Sequence, residues 1–236
     1  MINSVIWSAT RRGPHHIEKN MPNQDYRLGQ HYKWGDVVVV ADGVGSCPNS
    51  AIGSKSACKA AILAIKHCVQ ENVFDFERII YLLHSFWLVF LGNTPPETAA
   101  TTCLWAFTYS DKIYIASVGD GMIAACGNEI ASTDVFEDTK EDCFKNETDC
   151  LQPLCSDCCW QTEVLNKDNY NSILLTTDGI SGIYDFSKHK QLAYALAKNF
   201  NSFDVKTRNK NLIKLLKDYD NKGYSDDKTL ICMNWR

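Results

Sequence analysis

Aspartates recur where apolar runs begin or end, and that placement is suited to chemistry. Asp42 closes the run VVVVA, Asp120 follows IYIASVG, Asp178 follows SILLTT, and Asp226-Asp227 precede KTLICM. Glycines adjoin three of these sites, at Gly43, at Gly119 and Gly121, and at Gly179. One Asp-Gly pair is an ordinary turn. The same pattern at the ends of well-separated strands predicts carboxylates converging on one cleft. Side by side and uncompensated, they would repel one another and their pKa values would rise. A divalent cation would neutralise them, beside the backbone carbonyls that the glycines leave bare. With no histidine or cysteine beside these carboxylates, Mg or Mn suits the donor set better than zinc.

The elements that must position these aspartates are read along the chain. Residues 4–9 predict a first strand. Residues 10–24, with Gly13, Pro14 and Pro22, predict a loop ending in Asn23-Gln24-Asp25. Residues 37–41 are apolar and mostly β-branched, as in a strand buried on both faces. From Ser50 to Val69 the residues Ala57, Ala61, Ala64, Ile65 and Cys68 keep helical spacing. A second helix carries Phe76, Ile79, Leu83, Phe86, Trp87 and Phe90 on one face, with Asp75 as N-cap and Gly92 as stop. Short strands at 101–108, 112–118, 122–126 and 129–131, joined by tight turns, argue an antiparallel sheet. Residues 132–168 lose periodicity, are acidic and cysteine-rich, and predict an irregular flap. A core strand at 172–176, helices at 189–200 and 205–219, and a strand at 228–233 complete the chain. Strands and helices come in blocks, so the class is α+β.

At 236 residues, 45% hydrophobic and 22% charged, the composition is that of a soluble globular protein. No Pro- or Gly-rich linker and no internal repeat divides it, so a single domain over 1–236 is expected. A net charge of −4 gives no global basis for binding nucleic acid or an anionic membrane. The start MINSVIWSATRRG lacks the order of a signal peptide, and the apolar segment near 79–91 is too short to span a bilayer. The expectation is a cytoplasmic protein. Its 11 scattered cysteines are then mostly buried thiols, with Cys103, Cys126 and Cys232 in predicted strands. Cys143, Cys150, Cys155, Cys158 and Cys159 include one Cys-x-x-Cys, for which a structural zinc is the alternative. No second such pair and no flanking histidine supports it.

The ordered series NQD at 23–25, ADGVG at 41–45, TAATT at 98–102, VGD at 118–120, TTDG at 176–179 and DDKT at 226–229 resembles the PPM-type, metal-dependent protein phosphatases, the protein phosphatase 2C family. The arrangement of Gly13, His16 and Asn23-Gln24-Asp25 resembles a bacterial-type branch. The resemblance implies a β-sandwich of two antiparallel sheets flanked by helix pairs, and a phosphoserine/phosphothreonine protein phosphatase. It implies two Mn2+ or Mg2+ ions, with a third possible at Asp120. Asp42 would bridge two ions, with the Gly43 carbonyl on one and Asp178 and Asp226 on the other. Asp25 would organise water at the metals. Paired cations lower the pKa of a water and orient it for in-line attack, so no cysteine nucleophile is required. The implied partner is a phosphorylated protein, substrate of a Ser/Thr kinase, met by a monomer without nucleic acid or membrane.

This chain departs from the family pattern at several positions. Val44 follows Asp42-Gly43 where many eukaryotic members carry a histidine, so proton delivery must come from elsewhere, with His16 a candidate catalytic residue. Asn20 stands where a basic residue is usual, with Lys19 adjacent and Arg11 and Arg12 further back. Gly121 follows Asp120 in place of a serine, and Gln24 replaces a glutamate. Two rivals remain at this level: a catalytically weak phosphatase-like binding module, and a hydrolase of small phosphate esters.

Overall fold

The computed structural model describes residues 4–137, 149–155 and 158–235. Two five-stranded antiparallel sheets lie face to face. One runs in the order β1 (Ser4–Arg11), β10 (Lys228–Trp235), β9 (Ser172–Thr176), β6 (Met122–Cys126), β7 (Asp134–Glu137). The other runs β2 (Asp25–Tyr32), β3 (Gly35–Asp42), β4 (Cys103–Tyr109), β5 (Lys112–Val118), β8 (Gln161–Asn166). Helices α2 (Ser50–Gln70) and α3 (Phe76–Leu91) cover the outer face of the β2–β8 sheet. Helices α5 (His189–Asn201) and α6 (Val205–Asn221) cover that of the β1–β7 sheet. The expected α+β sandwich is what the chain forms.

The VVVV run has a physical reason. Val37 and Val39 pack toward α2 and α3, while Val38 and Val40 pack against the opposite sheet. Both faces of β3 are thus dry, which an alternating strand could not supply. Between the sheets, Val40, Leu104 and Ile115 meet Ile123, Leu175 and Ile231. Each such burial is worth about 1.5–3 kcal/mol against exposure. Small residues on α2, Ala57, Ala60, Ala61 and Ala64, are fully buried and let its partners approach. Trp87 of α3 fills the gap and donates its indole N–H to Gly53 O at 3.2 Å. Asp75 caps α3, accepting from Glu77 N at 3.1 Å, and Gly92 ends it at φ 58°.

Several expectations are corrected. The expected loop at 10–24 contains a helical turn, α1 (Pro14–Glu18), too short to show periodicity. Strand β2 went unread because its residues are polar and it lies on a sheet edge. Residues 130–132 form a 3-10 turn instead of a strand. The segment 132–168 is partly regular: it contributes β7 and β8, and β8 is an exposed edge strand without an apolar face. Residues 138–148, including Cys143, lie outside the described residues. No helix among the described residues is long and apolar enough to cross a membrane.

Candidate active site

The aspartates converge at one end of the sandwich. Asp42 is the last residue of β3, and the register places it opposite Asp25, the first of β2. The 98–102 loop fixes the Asp42 backbone. Its N–H donates to Thr102 Oγ1 at 2.9 Å, and its carbonyl accepts from Thr102 N and Thr101 Oγ1, each at 2.8 Å. Gly43 is required sterically, because a Cβ there would sit 2.6 Å from the Ser50 backbone and side chain.

Asp178 opens the short helix α4 (Asp178–Ser181), directly beyond β9. Asp226 precedes β10, the strand beside β9. Gly179 brings the two together, since any side chain there would collide with the Asp227 carbonyl. Asp120 lies in the turn between β5 and β6, flanked by Gly119 at φ 87° and Gly121 at φ 129°. Asp42, Gly43, Asp120, Asp178, Asp226 and His16 line one cleft of about 210 Å3. Asp25 is not on that lining. It lies buried beside Asp42, where the Thr177 hydroxyl donates to its Oδ2 at 2.9 Å.

The electrostatics are those of crowded anions. Burial pushes Asp25 up to about 7, against hydrogen bonds that favour its charged form. Burial raises Asp42 well above the usual carboxylate range, and the charges of Asp25 and Asp178 add to the effect. Asp178 is raised by burial too, with Asp226 and Asp120 as repelling neighbours. Oδ1 of Asp25 and Oδ1 of Asp178 are buried without a hydrogen-bond partner. Orphaned carboxylate oxygens in a repelling cluster fit a hard cation. Among the described residues, no three His, Cys, Asp or Glu side chains are gathered as the full ligand set of one ion.

Asp227, unread as a site residue, organises the cleft from behind. One oxygen accepts from Gly13 N at 2.7 Å, the other from Gln24 N at 2.6 Å. His16 Nδ1 lies 2.8 Å from that second oxygen, without the alignment of a hydrogen bond. The Asp-Asp doublet was the available signal: on an extended segment, neighbouring side chains face opposite ways. Lys228, fully buried, donates to Asp226 O at 2.7 Å, Tyr224 O at 2.8 Å and Asp220 Oδ1 at 3.0 Å, which fixes the doublet's backbone. The basic candidates are elsewhere. Arg11 pairs with Asp220, and Arg12 donates to Met21 O at 3.0 Å. No arginine, lysine or cysteine lines the cleft among the described residues. Cys103, Cys126 and Cys232 are core thiols, and burial raises all three pKa values.

A family model described as Protein phosphatase 2C matches residues 12–217. The chain belongs to the protein phosphatase 2C family. Solved structures agree on the fold. Serine/threonine phosphatase Stp1 from Staphylococcus aureus is 15% identical with a TM-score of 0.67, over 99% of this chain and 95% of that one. The catalytic domain of the serine/threonine phosphatase PstP, solved with two manganese ions, is 14% identical with a TM-score of 0.62, over 100% and 99% of the two chains. RsbX, solved with magnesium, is 14% identical with a TM-score of 0.61 over the full length of both. Comparison with curated protein sequences returns no match. Membership in the phosphatase 2C family makes this chain a metal-dependent serine/threonine protein phosphatase by class.

Proposed function

We propose that the chain hydrolyses phosphoserine and phosphothreonine in proteins, using Mn2+ or Mg2+ held by Asp42, the Gly43 carbonyl, Asp178 and Asp226, with Asp120 serving a weaker third position. The observation that carries this reading is the set of converging, mutually repelling carboxylates, two of them with a buried oxygen that lacks a hydrogen-bond partner, beside a cleft lined by no lysine or arginine among the described residues. The ions would activate a water and stabilise charge on the phosphoryl oxygens. The remaining work belongs to the chain. Asp42 and Asp178 face each other across the cleft floor, and Thr101 and Thr102 hold the Asp42 backbone in register. Asp25, hydrogen-bonded to Thr177, stands beside them to accept a proton. His16 reaches the cleft from α1 with Asp227 at its Nδ1, which leaves Nε2 to serve the leaving-group oxygen.

PstP was solved with manganese and RsbX with magnesium, and both precedents support the choice of ions. The chain acts as a cytoplasmic monomer, in one domain, on the product of a partner Ser/Thr kinase, and the segment around 132–168 shapes the peptide side of the cleft. The decisive test is hydrolysis of p-nitrophenyl phosphate and a phosphothreonine peptide after EDTA treatment, with and without added Mn2+. Activity should vanish with EDTA and return with Mn2+. Full activity in EDTA would remove the metal from the proposal.

A further inference from the structure

Among the described residues, the β1–β7 sheet ends on β1, which pairs with β10 alone. The other side of β1 is, among those residues, a free edge where alternate N–H and C=O groups lack strand partners. A groove of about 580 Å3 runs along it. One wall is the consecutive run 8–12, which includes side chains from both faces of the sheet. The groove therefore follows the strand edge itself. The facing wall is Asn209, Leu212, Ile213 and Leu216, the i, i+3, i+4, i+7 stripe of α6. Ile17 and Arg27 complete the lining, and it shares no residue with the carboxylate cleft. Ile17 is 48% exposed and Ile213 64%, so an apolar surface is open from both sides.

Charge makes the groove selective. Arg11, Arg12 and Arg27 all line it, in a chain of net charge −4. Arg11 is matched by Asp220. Arg12 spends one N–H on the Met21 carbonyl, and Arg27 Nε is buried without a hydrogen-bond partner. Neither Arg12 nor Arg27 forms an ion pair with a carboxylate among the described residues. Arg27 is half-buried, and its buried Nε–H without an acceptor is costly to leave uncompensated. Each planar fork matches a carboxylate.

We propose that this groove takes an extended acidic segment of a partner polypeptide, added as a further strand on the free edge of β1, with aliphatic side chains against α6 and carboxylates on Arg12 and Arg27. Main-chain hydrogen bonds would supply affinity, and the alternation of apolar and acidic residues would supply selectivity. A basic segment is excluded by the guanidiniums, and a helix does not pair with a strand edge. The inference is independent of the phosphatase reading, because binding is measured without turnover. It also gives α1 two faces: His16 in the catalytic cleft, Ile17 in the groove.

The test uses the full chain and fluorescence polarisation. The probe is a dye-labelled eight-residue peptide alternating Glu with Val or Ile. Its controls are the Lys-for-Glu counterpart and the same acidic peptide N-methylated at alternate residues, which removes strand hydrogen bonds. The acidic peptide should bind about tenfold tighter than either control, a difference of one decade in Kd. Its affinity should fall as salt is raised. Ile213→Asp and Arg27→Gln should each weaken it about fivefold or more, with p-nitrophenyl phosphate hydrolysis and circular dichroism unchanged. Equal binding of the Lys peptide overturns the charge argument. Equal binding of the N-methylated peptide shows an acidic amphiphile site instead of a strand site and overturns the proposal. So does an Ile213→Asp variant that binds like the wild type.

Discussion

Asp227, buried, and Asp42, half-buried on the cleft lining, are aspartates at one end of the same sandwich, and they live in opposite environments. Asp227 receives backbone N–H groups from Gly13 and Gln24 and has His16 beside it. Asp42 faces Asp25 and Asp178, two more carboxylates, both with an orphaned oxygen. The first arrangement is complete within the chain and fixes three separate segments to one point. The second is incomplete among the described residues, and a cation from outside would complete it. The same residue type is a satisfied scaffold or a proposed ligand, depending on whether donors or anions surround it.

Breaking the incomplete side should have the largest effect. Asp42→Ala or Asp178→Ala should lower kcat/KM by about a thousandfold or more, the loss of several kcal/mol of charge stabilisation. Circular dichroism should stay near wild type, because removing a repelling charge does not harm the fold. Wild-type rates in both variants would mean that the cleft is not the site.

Breaking the complete side should cost stability first. Asp227→Ala leaves two backbone N–H groups buried without acceptors, each worth about 1–3 kcal/mol. The thermal midpoint should drop clearly, and the milder Asp227→Asn should lower activity about 10–100-fold through misplacement of His16. An Asp227→Ala protein as stable as the wild type would erase the distinction drawn above.

His16 sharpens the comparison, since it belongs to both sides. His16→Gln should lower turnover of a phosphothreonine peptide about 100-fold, the usual worth of a positioned proton donor. Hydrolysis of p-nitrophenyl phosphate should fall much less, because nitrophenolate leaves without a proton. Equal losses on both substrates would reassign His16 to phosphate binding.

The smallest effect is a pH slope. Asp25 is raised from 3.8 to about 7, so its protonated form is the one the fold favours. The stability it contributes is complete below about 4 and is lost as pH rises through about 7. In EDTA, the midpoint difference between Asp25→Asn and wild type should therefore grow in the variant's favour from pH 4 to 8. Mn2+ should shrink that difference. A flat difference would show that Asp25 is not strained in the metal-free protein.

How much of this the sequence disclosed depended on periodicity. Strand β3 and helices α2 and α3 were legible because burial demands a dense apolar pattern over many residues. The strand-end aspartates were legible because apolar runs stop abruptly at them. Strand β8 was not, since an exposed edge strand has no apolar face to display. Helix α1 was not, since a five-residue turn has no second period. The role of Asp227 was hidden for another reason. Its partners are backbone amides of Gly13 and Gln24, and a main-chain donor leaves no mark on residue identity.

The sandwich has a mechanical consequence. Asp25 and Asp42 ride on one sheet, while Asp178 and Asp226 ride on the other. Asp120 sits in the connection that crosses between them. The seam between the sheets is almost wholly aliphatic, and such surfaces grip without setting an angle. The cleft therefore acts as a caliper whose jaws are two separate plates, pinned at its mouth by the Thr177–Asp25 contact. A slip of one plate by a fraction of a residue would leave every strand and helix intact and still spoil the gap. Catalytic failure should precede melting as denaturant is added, and the interval between the two measures how firmly the plates are aligned.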